Sequence, residues 1–217
     1  MAIDSRDVDQ FSIVLIGHFQ VPRFHPHESA VMDALTDSDI EQLHVTMLLP
    51  NDVVAFETQF LSVVVEQGKI SVSSKLSAPI PEKARDFIAA LIAGLDMPTT
   101  ALGINRDFHF PIESADKFRN LRDEFIQKDR FHSIMKNPLV RALVMQSDRY
   151  DTRAGRIVTR IEPSLIITQG LFIQVNDHFD LPSGTTAMEV ADNLAGMCNS
   201  ASENANSIIS HIRSLTT

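Results

Sequence analysis

A chain of 217 residues is long enough for one large domain or for two small halves that share a sheet. Its 44% hydrophobic and 22% charged residues exclude the disordered class, and a net charge of −9 argues against a nucleic-acid binder, which needs clustered Lys and Arg. The single cysteine, Cys198, excludes an internal disulfide and any multi-thiolate zinc site.

The acidic, polar start MAIDSRDVDQ has no apolar signal core, and residues 1–9 read as a flexible tail. Residues 11–19, FSIVLIGHF, are rich in β-branched and aromatic side chains and predict a strand. The Pro-punctuated loop VPRFHPH follows, then a short helix over 28–35 and one more turn capped by Ser38 with Glu41. Residues 43–49 and 53–66 read as strands. Glu66-Gln67-Gly68-Lys69 marks a hairpin, in which Gly68 supplies a positive φ. Pro81 starts a helix with Ala84, Phe87, Ile88, Leu91, Ile92 and Leu95 on one face.

The order then repeats. Strand TALGINRDFHF (100–110) leads to a helix from Ser114, with Phe118, Leu121, Phe125 and Ile126 inward. After the Asn137-Pro138 break come three strand-like runs, LVRALVMQSDRY, GRIVTRIEP and GLFIQVNDHF. A helix over 186–213 closes the chain, capped by Thr186 with Glu189. Its apolar stripe is Val190, Leu194, Met197, Cys198, Ala201, Ala205, Ile208 and Ile212, which makes Cys198 a small buried hydrophobe. Its middle is rich in small residues (Ala191, Ala195, Gly196, Ser200, Ala201, Ser202, Ala205), which suits packing on the protein's own sheet or a helix-to-helix dimer contact.

The fold class that follows is α+β: a mainly antiparallel sheet from two pseudo-repeated β-α-β-β-β-α halves, about 10–96 and 99–214, with helices on one face. No linker composition separates the halves, so 1–217 reads as a single merged domain. No apolar run approaches the roughly 18 residues of a membrane span. The expected location is cytoplasmic, with no membrane partner.

Four clusters could carry chemistry. His25 and His27, with His18 and Arg23 nearby, would face the same way on an extended segment as metal ligands do, but no third ligand stands at a recognised spacing. Asn105, Asp107 and His109 line one face of their strand, and Gln174, Asn176, His178 and Asp180 one face of another, with Phe172 at its head and Asp177 intruding on the apolar side. If the two strands were neighbours, His109 and His178 with Asp107 or Asp180 could perform acid–base chemistry. An antiparallel sheet with one solvated face shows the same alternation without any activity. The fourth cluster is Arg149, Arg153, Arg156 and Arg160 with Tyr150, whose planar forks suit carboxylate or phosphate unless Asp148, Asp151 and Glu162 neutralise them.

No GxGxxG, GxxxxGK[ST] or GxSxG motif is present, and no cofactor is expected. Between Lys117 and Arg160 eleven Lys/Arg stand against five Asp/Glu, a balance of +6 inside an otherwise strongly acidic chain. These features imply a non-enzymatic binding or interaction module, a homo-oligomer or a protein with an acidic partner or small anionic ligand. Two readings compete with it: a small-molecule hydrolase or lyase working through His109 and His178 with Asp107 or Asp180, and a structural subunit of a bacterial-type assembly.

Overall fold

The computed structural model describes residues 7–74, 81–112, 114, 116–117, 120, 134–136, 140–149 and 151–216. Phe118, Leu121, Phe125 and Ile126 of the helix expected from Ser114, the Asn137-Pro138 break and Tyr150 lie outside them. Among the described residues, alternating apolar runs form nine strands: β1 (Val8–Gly17), β2 (His44–Leu49), β3 (Val53–Glu57), β4 (Leu61–Glu66), β5 (Lys69–Ser74), β6 (Thr99–Pro111), β7 (Leu143–Asp148), β8 (Gly155–Pro163) and β9 (Gly170–Asp180). Four α-helices accompany them: α1 (Ser29–Ala34), α2 (Asp37–Glu41), α3 (Pro81–Ile92) and α4 (Ala187–Ser214), with a 3-10 turn at Val21–Phe24. The class is α+β, and no helix among the described residues is long and apolar enough to cross a membrane.

The nine strands make one sheet in the order β2-β3-β4-β5-β1-β6-β9-β8-β7, and every neighbouring pair is antiparallel. The central pair β1–β6 joins the group β1–β5 to the group β6–β9. The run 53–66 divides because Thr58 ends β3: its N–H donates to the Leu61 carbonyl and its Oγ1 accepts from the Phe60 and Leu61 N–H groups. The Gln67-Gly68 hairpin is present, with Glu66 opposite Lys69. Gly68 does not take a positive φ there, since the left-handed glycines are Gly155 and Gly184. The turn is held instead from outside, its Gln67 and Gly68 carbonyls accepting from the Phe19 and Gly17 N–H groups.

Period-2 alternation puts Phe11, Ile13 and Leu15 of β1 on the same face as Val63, Val65, Ile70, Val72, Leu102 and Ile104, all buried. Against that face lie Ala84, Phe87, Ile88 and Leu91 of α3 and the first half of α4, from Val190 to Ala201, forming one apolar cluster. A second cluster joins Phe108, Phe110, Ile157, Ile161, Leu171, Ile173 and Val175 to Ala205, Ile209 and Ile212 of α4. The predicted stripe of α4 holds except at its end, where Ile209 is buried and Ile208 only partly. With 28 residues at ~1.5 Å each, α4 is about 42 Å long and reaches across both clusters.

Two further local expectations change. The second short helix is capped by Thr36 with Asp39, not by Ser38 with Glu41. The chain at Asp7–Asp9 is not a tail: β1 begins at Val8, and Asp7 and Asp9 are buried. A buried carboxylate needs a charged or hydrogen-bonding partner, and Arg213 and Arg106 supply it.

Candidate functional site

Between the two apolar clusters, on the helix-covered face, runs a buried polar belt. Arg106 of β6 takes the Asp9 carboxylate as a bidentate partner and donates to the Asn206 amide oxygen of α4. Asp177 of β9, the polar intruder of the alternation, pairs with the Arg149 guanidinium and accepts from Asn204 Nδ2 at 2.8 Å. Arg149 also grips Asp151 (2.8 and 2.9 Å) and Ser200 (3.2 Å) and lies over the Phe179 ring, 3.7 Å from its centroid. Further along α4, Arg213 holds Asp7 at 3.0–3.1 Å. The hydrogen bond from Arg149, with help from Arg153 and Ser200, holds the Asp151 carboxyl well below the usual carboxylate range, against a smaller opposing effect of burial.

This belt corrects the reading of the arginine group. Arg149 is no free fork: its side chain is 1% exposed and neutralised by two aspartates. Arg153 follows it, donating to Asp151 at 3.0 Å and lying close to Gly196. Arg156 and Arg160 stay together on the opposite face of β8, where Arg156 stands across from His178 and Arg160 across from Gln174. Arg160 pairs with half-buried Glu162 at 2.7 Å, while the exposed Arg156 side chain makes no hydrogen bond or ion pair among the described residues. Of the small residues of α4, Ala201 and Ala205 are buried and the Ser200 hydroxyl donates to Asp151 at 3.1 Å, while Ala195 and Gly196 are exposed.

The sheet face away from α3 and α4 carries the expected polar strands as neighbours. Asn105 lies opposite Asn176 and Asp107 opposite Gln174, and Gln174 Nε2 donates to Asp107 Oδ1 at 2.8 Å. Asn176 Nδ2 donates to Asn105 Oδ1, and Asn105 Nδ2 to Ser12 Oγ at 3.2 Å, so one row of amides and hydroxyls crosses three strands. The two histidines do not meet. His109 sits opposite Phe172 and His178 opposite Gly103, six residues along the same strand pair, a separation of about 20 Å at ~3.3 Å per residue. An acid–base site shared by His109 and His178 is therefore ruled out by register.

Each histidine keeps its own surroundings. His178 Nε2 is 3.1 Å from exposed Asp180. The His109 ring lies 4.6 Å from the Phe172 ring, and its Nδ1 is 2.9 Å from Ser164 Oγ, a partner that sequence reasoning missed. Ser164 Oγ already accepts from the Ile166 and Ile167 N–H groups, so its proton points to Nδ1 and the residue works as a turn cap. Burial lowers the His109 pKa below the ordinary imidazole value, partly offset by the Asp107 charge, and the neutral ring suits the Ser164 donor. Burial likewise raises the Asp107 carboxyl, against the Gln174 hydrogen bond and the His109 charge. Only Ser164 itself, just after the predicted strand GRIVTRIEP, could have signalled this contact.

His25 and His27 are in a turn, not on an extended segment. Their rings are 5.3 Å apart, and His25 Nδ1 accepts the His27 N–H at 3.2 Å, which occupies a lone pair a metal would need. No group of three His, Cys, Asp or Glu that could hold a metal ion exists among the described residues. Cys198 is buried at 5% exposure, and burial pushes its thiol up to about 12, so it stays an unreactive thiol. Comparison of the chain with protein-family models gives no match, and comparison with curated proteins gives none either.

Proposed function

We propose that the protein is a non-enzymatic binding module that takes an acidic protein partner at the β7–β9 end of its sheet. The observation that carries the reading is the pair Arg156 and Arg160, which project from the sheet face away from α3 and α4 beside His178 and Gln174, while Arg149 is buried against Asp177 and exposed Arg153 is paired with Asp151. Guanidinium forks suit carboxylates. The solvent-accessible Arg160–Glu162 pair, with Arg160 exposed and Glu162 half-buried, contributes only ~0–1 kcal/mol and exchanges for a ligand carboxylate. The same reading makes the protein a cytoplasmic homo-oligomer, and small anions compete for the same forks. It also treats the fold as two pseudo-repeated halves: in each, the first strand pairs with the last (β1 with β5, β6 with β9), and a helix closes the half. A second reading, a structural subunit of a repeating assembly, is favoured by the two sheet edges, β2 and β7, that have no outer strand among the described residues.

The test is a fluorescence-anisotropy titration with a labelled polyglutamate peptide, and inorganic phosphate as competitor. Wild type is expected to bind in low salt, and the double variant Arg156→Ala/Arg160→Ala to bind about tenfold or more weakly, as lost rim charges do. Binding that ignores both substitutions, or no binding in low salt, overturns the reading.

A further inference from the structure

Among the described residues, both edge strands of the sheet lack an outer neighbour, and both are apolar. On β2, Val45, Met47, Leu48 and Leu49 are 37–50% exposed; on β7, Val144 is 60% and Met145 39% exposed. Neither strand carries Lys or Pro, the residues that usually blunt an exposed edge. A register shift between Val45 and Met47 bends β2, which leaves the consecutive apolar residues Met47–Leu49 as its regular segment. Strand β7 is regular along all six residues.

Beside β7, on the helix side, is a groove of about 610 Å³ lined by Met145, Ile157, Ile208, Ile212 and Leu215, with His211 also on its wall. A strand added to β7 would present alternate side chains to this groove, the arrangement in which backbone pairing gives affinity and a side-chain pocket gives specificity. The chain itself holds a strand of matching chemistry. Val45 and Leu48 of β2 lie opposite core residues Phe56 and Val54, so they point to the helix side, where they would extend the apolar layer into the groove.

Charge selects the pairing. From Phe24 to Gly68, the stretch that contains β2, there are eight Asp/Glu and no Lys or Arg. The β7 edge has Arg141 before it and Arg156 and Arg160 on the adjoining strand. Because eight successive pairings are antiparallel, β2 and β7 run in the same direction. Copies related by simple translation would therefore set them parallel, with all helices on one side. That alignment places the acidic α2 and Glu57 near Arg141 and Arg160, which is where the two edges are complementary in charge; at the other end Asp52 meets Asp148, itself opposite Arg156.

We propose that strand β2 of a second copy adds to β7, so that copies join head to tail through one continuous sheet. The inference rests on the binding-module reading and names its acidic partner. A heterologous contact of this kind builds a chain, or a ring if the rotation closes.

The experiment is sedimentation velocity on the full chain in low and high salt, for wild type and for two edge variants, Met47→Lys and Val144→Asp, each placing a repelling charge at an exposed site. Wild type is expected to form species larger than a dimer in low salt, with association weakened by about tenfold or more in high salt. Each variant alone should be monomeric, with an unchanged circular-dichroism spectrum. An equimolar mixture of the two should give a dimer and nothing larger, since it contains one intact β2 and one intact β7 per pair. A monomeric wild type in low salt overturns the inference, and so does a Val144→Asp variant that dimerises through β2 alone or a Met47→Lys variant that dimerises through β7 alone. If the wild type stays monomeric yet binds polyglutamate through Arg156 and Arg160, the binding reading stands and the head-to-tail sheet falls.

Discussion

Asp177 ties the buried Arg149 group of the belt to α4. Its carboxylate meets Arg149 and Asn204 under α4, and its side chain is 1% exposed. Replacing it with alanine leaves the Arg149 guanidinium buried with Asp151 as its remaining carboxylate, and removing one partner of a buried pair costs on the order of 3–5 kcal/mol. We expect Asp177→Ala near the low end of that range, because Asp151 still neutralises part of the charge. The double variant Asp177→Ala/Arg149→Leu should recover part of the loss, since it removes the uncompensated ion as well. Urea denaturation at neutral pH measures both; a loss below about 1 kcal/mol in the single variant would show that the belt tolerates an unpaired charge, contrary to its burial. The alternation of β9 made Asp177 visible in the sequence as an exception. What the sequence could not supply was its partner, just as nothing local links Arg106 to Asp9, 97 residues away. A charge at an inward position announces a pairing without naming it.

At the scale of elements, the strands and caps with local causes were legible. GRIVTRIEP is β8 residue for residue, and Thr186 with Glu189 caps α4 in both directions. Where two local signals overlapped, context chose between them. TDSDIE holds both Thr36 with Asp39 and Ser38 with Glu41, and the first is used because it sets Leu35 before the cap and Ile40 four residues into the helix, both on the core. The start of β8 has a requirement of its own. Gly155 has φ +139, and a Cβ there would collide with the His178 carbonyl on β9. Gly184, at φ +87, has open space around the same position. Gly155→Ala should therefore destabilise by about 1–3 kcal/mol, and Gly184→Ala by less, since only backbone strain is added. Thermal unfolding of the two variants side by side is the measurement, and equal losses would remove the argument from close approach.

At the scale of the whole molecule, the sheet order was not legible, because it depends on pairings such as β1–β6 and β6–β9 between strands far apart in the chain. The charge asymmetry was, since counting needs no fold. Two apolar clusters separated by a polar belt could behave as two units or as one. Three features bind them: the unbroken sheet through β1, β6 and β9, the ion pairs of the belt, and α4, whose first half belongs to one cluster and second half to the other. Neither cluster can open without exposing part of α4 that the other needs. Ile13 in the first and Ile173 in the second are both fully buried, and truncating either to alanine should cost on the order of 2–5 kcal/mol through lost burial and a residual cavity. If the molecule unfolds as one unit, each variant lowers the midpoint of the same single transition, seen alike by calorimetry and circular dichroism. Two independent halves would instead give two transitions, with Ile13→Ala moving only one of them and Ile173→Ala only the other.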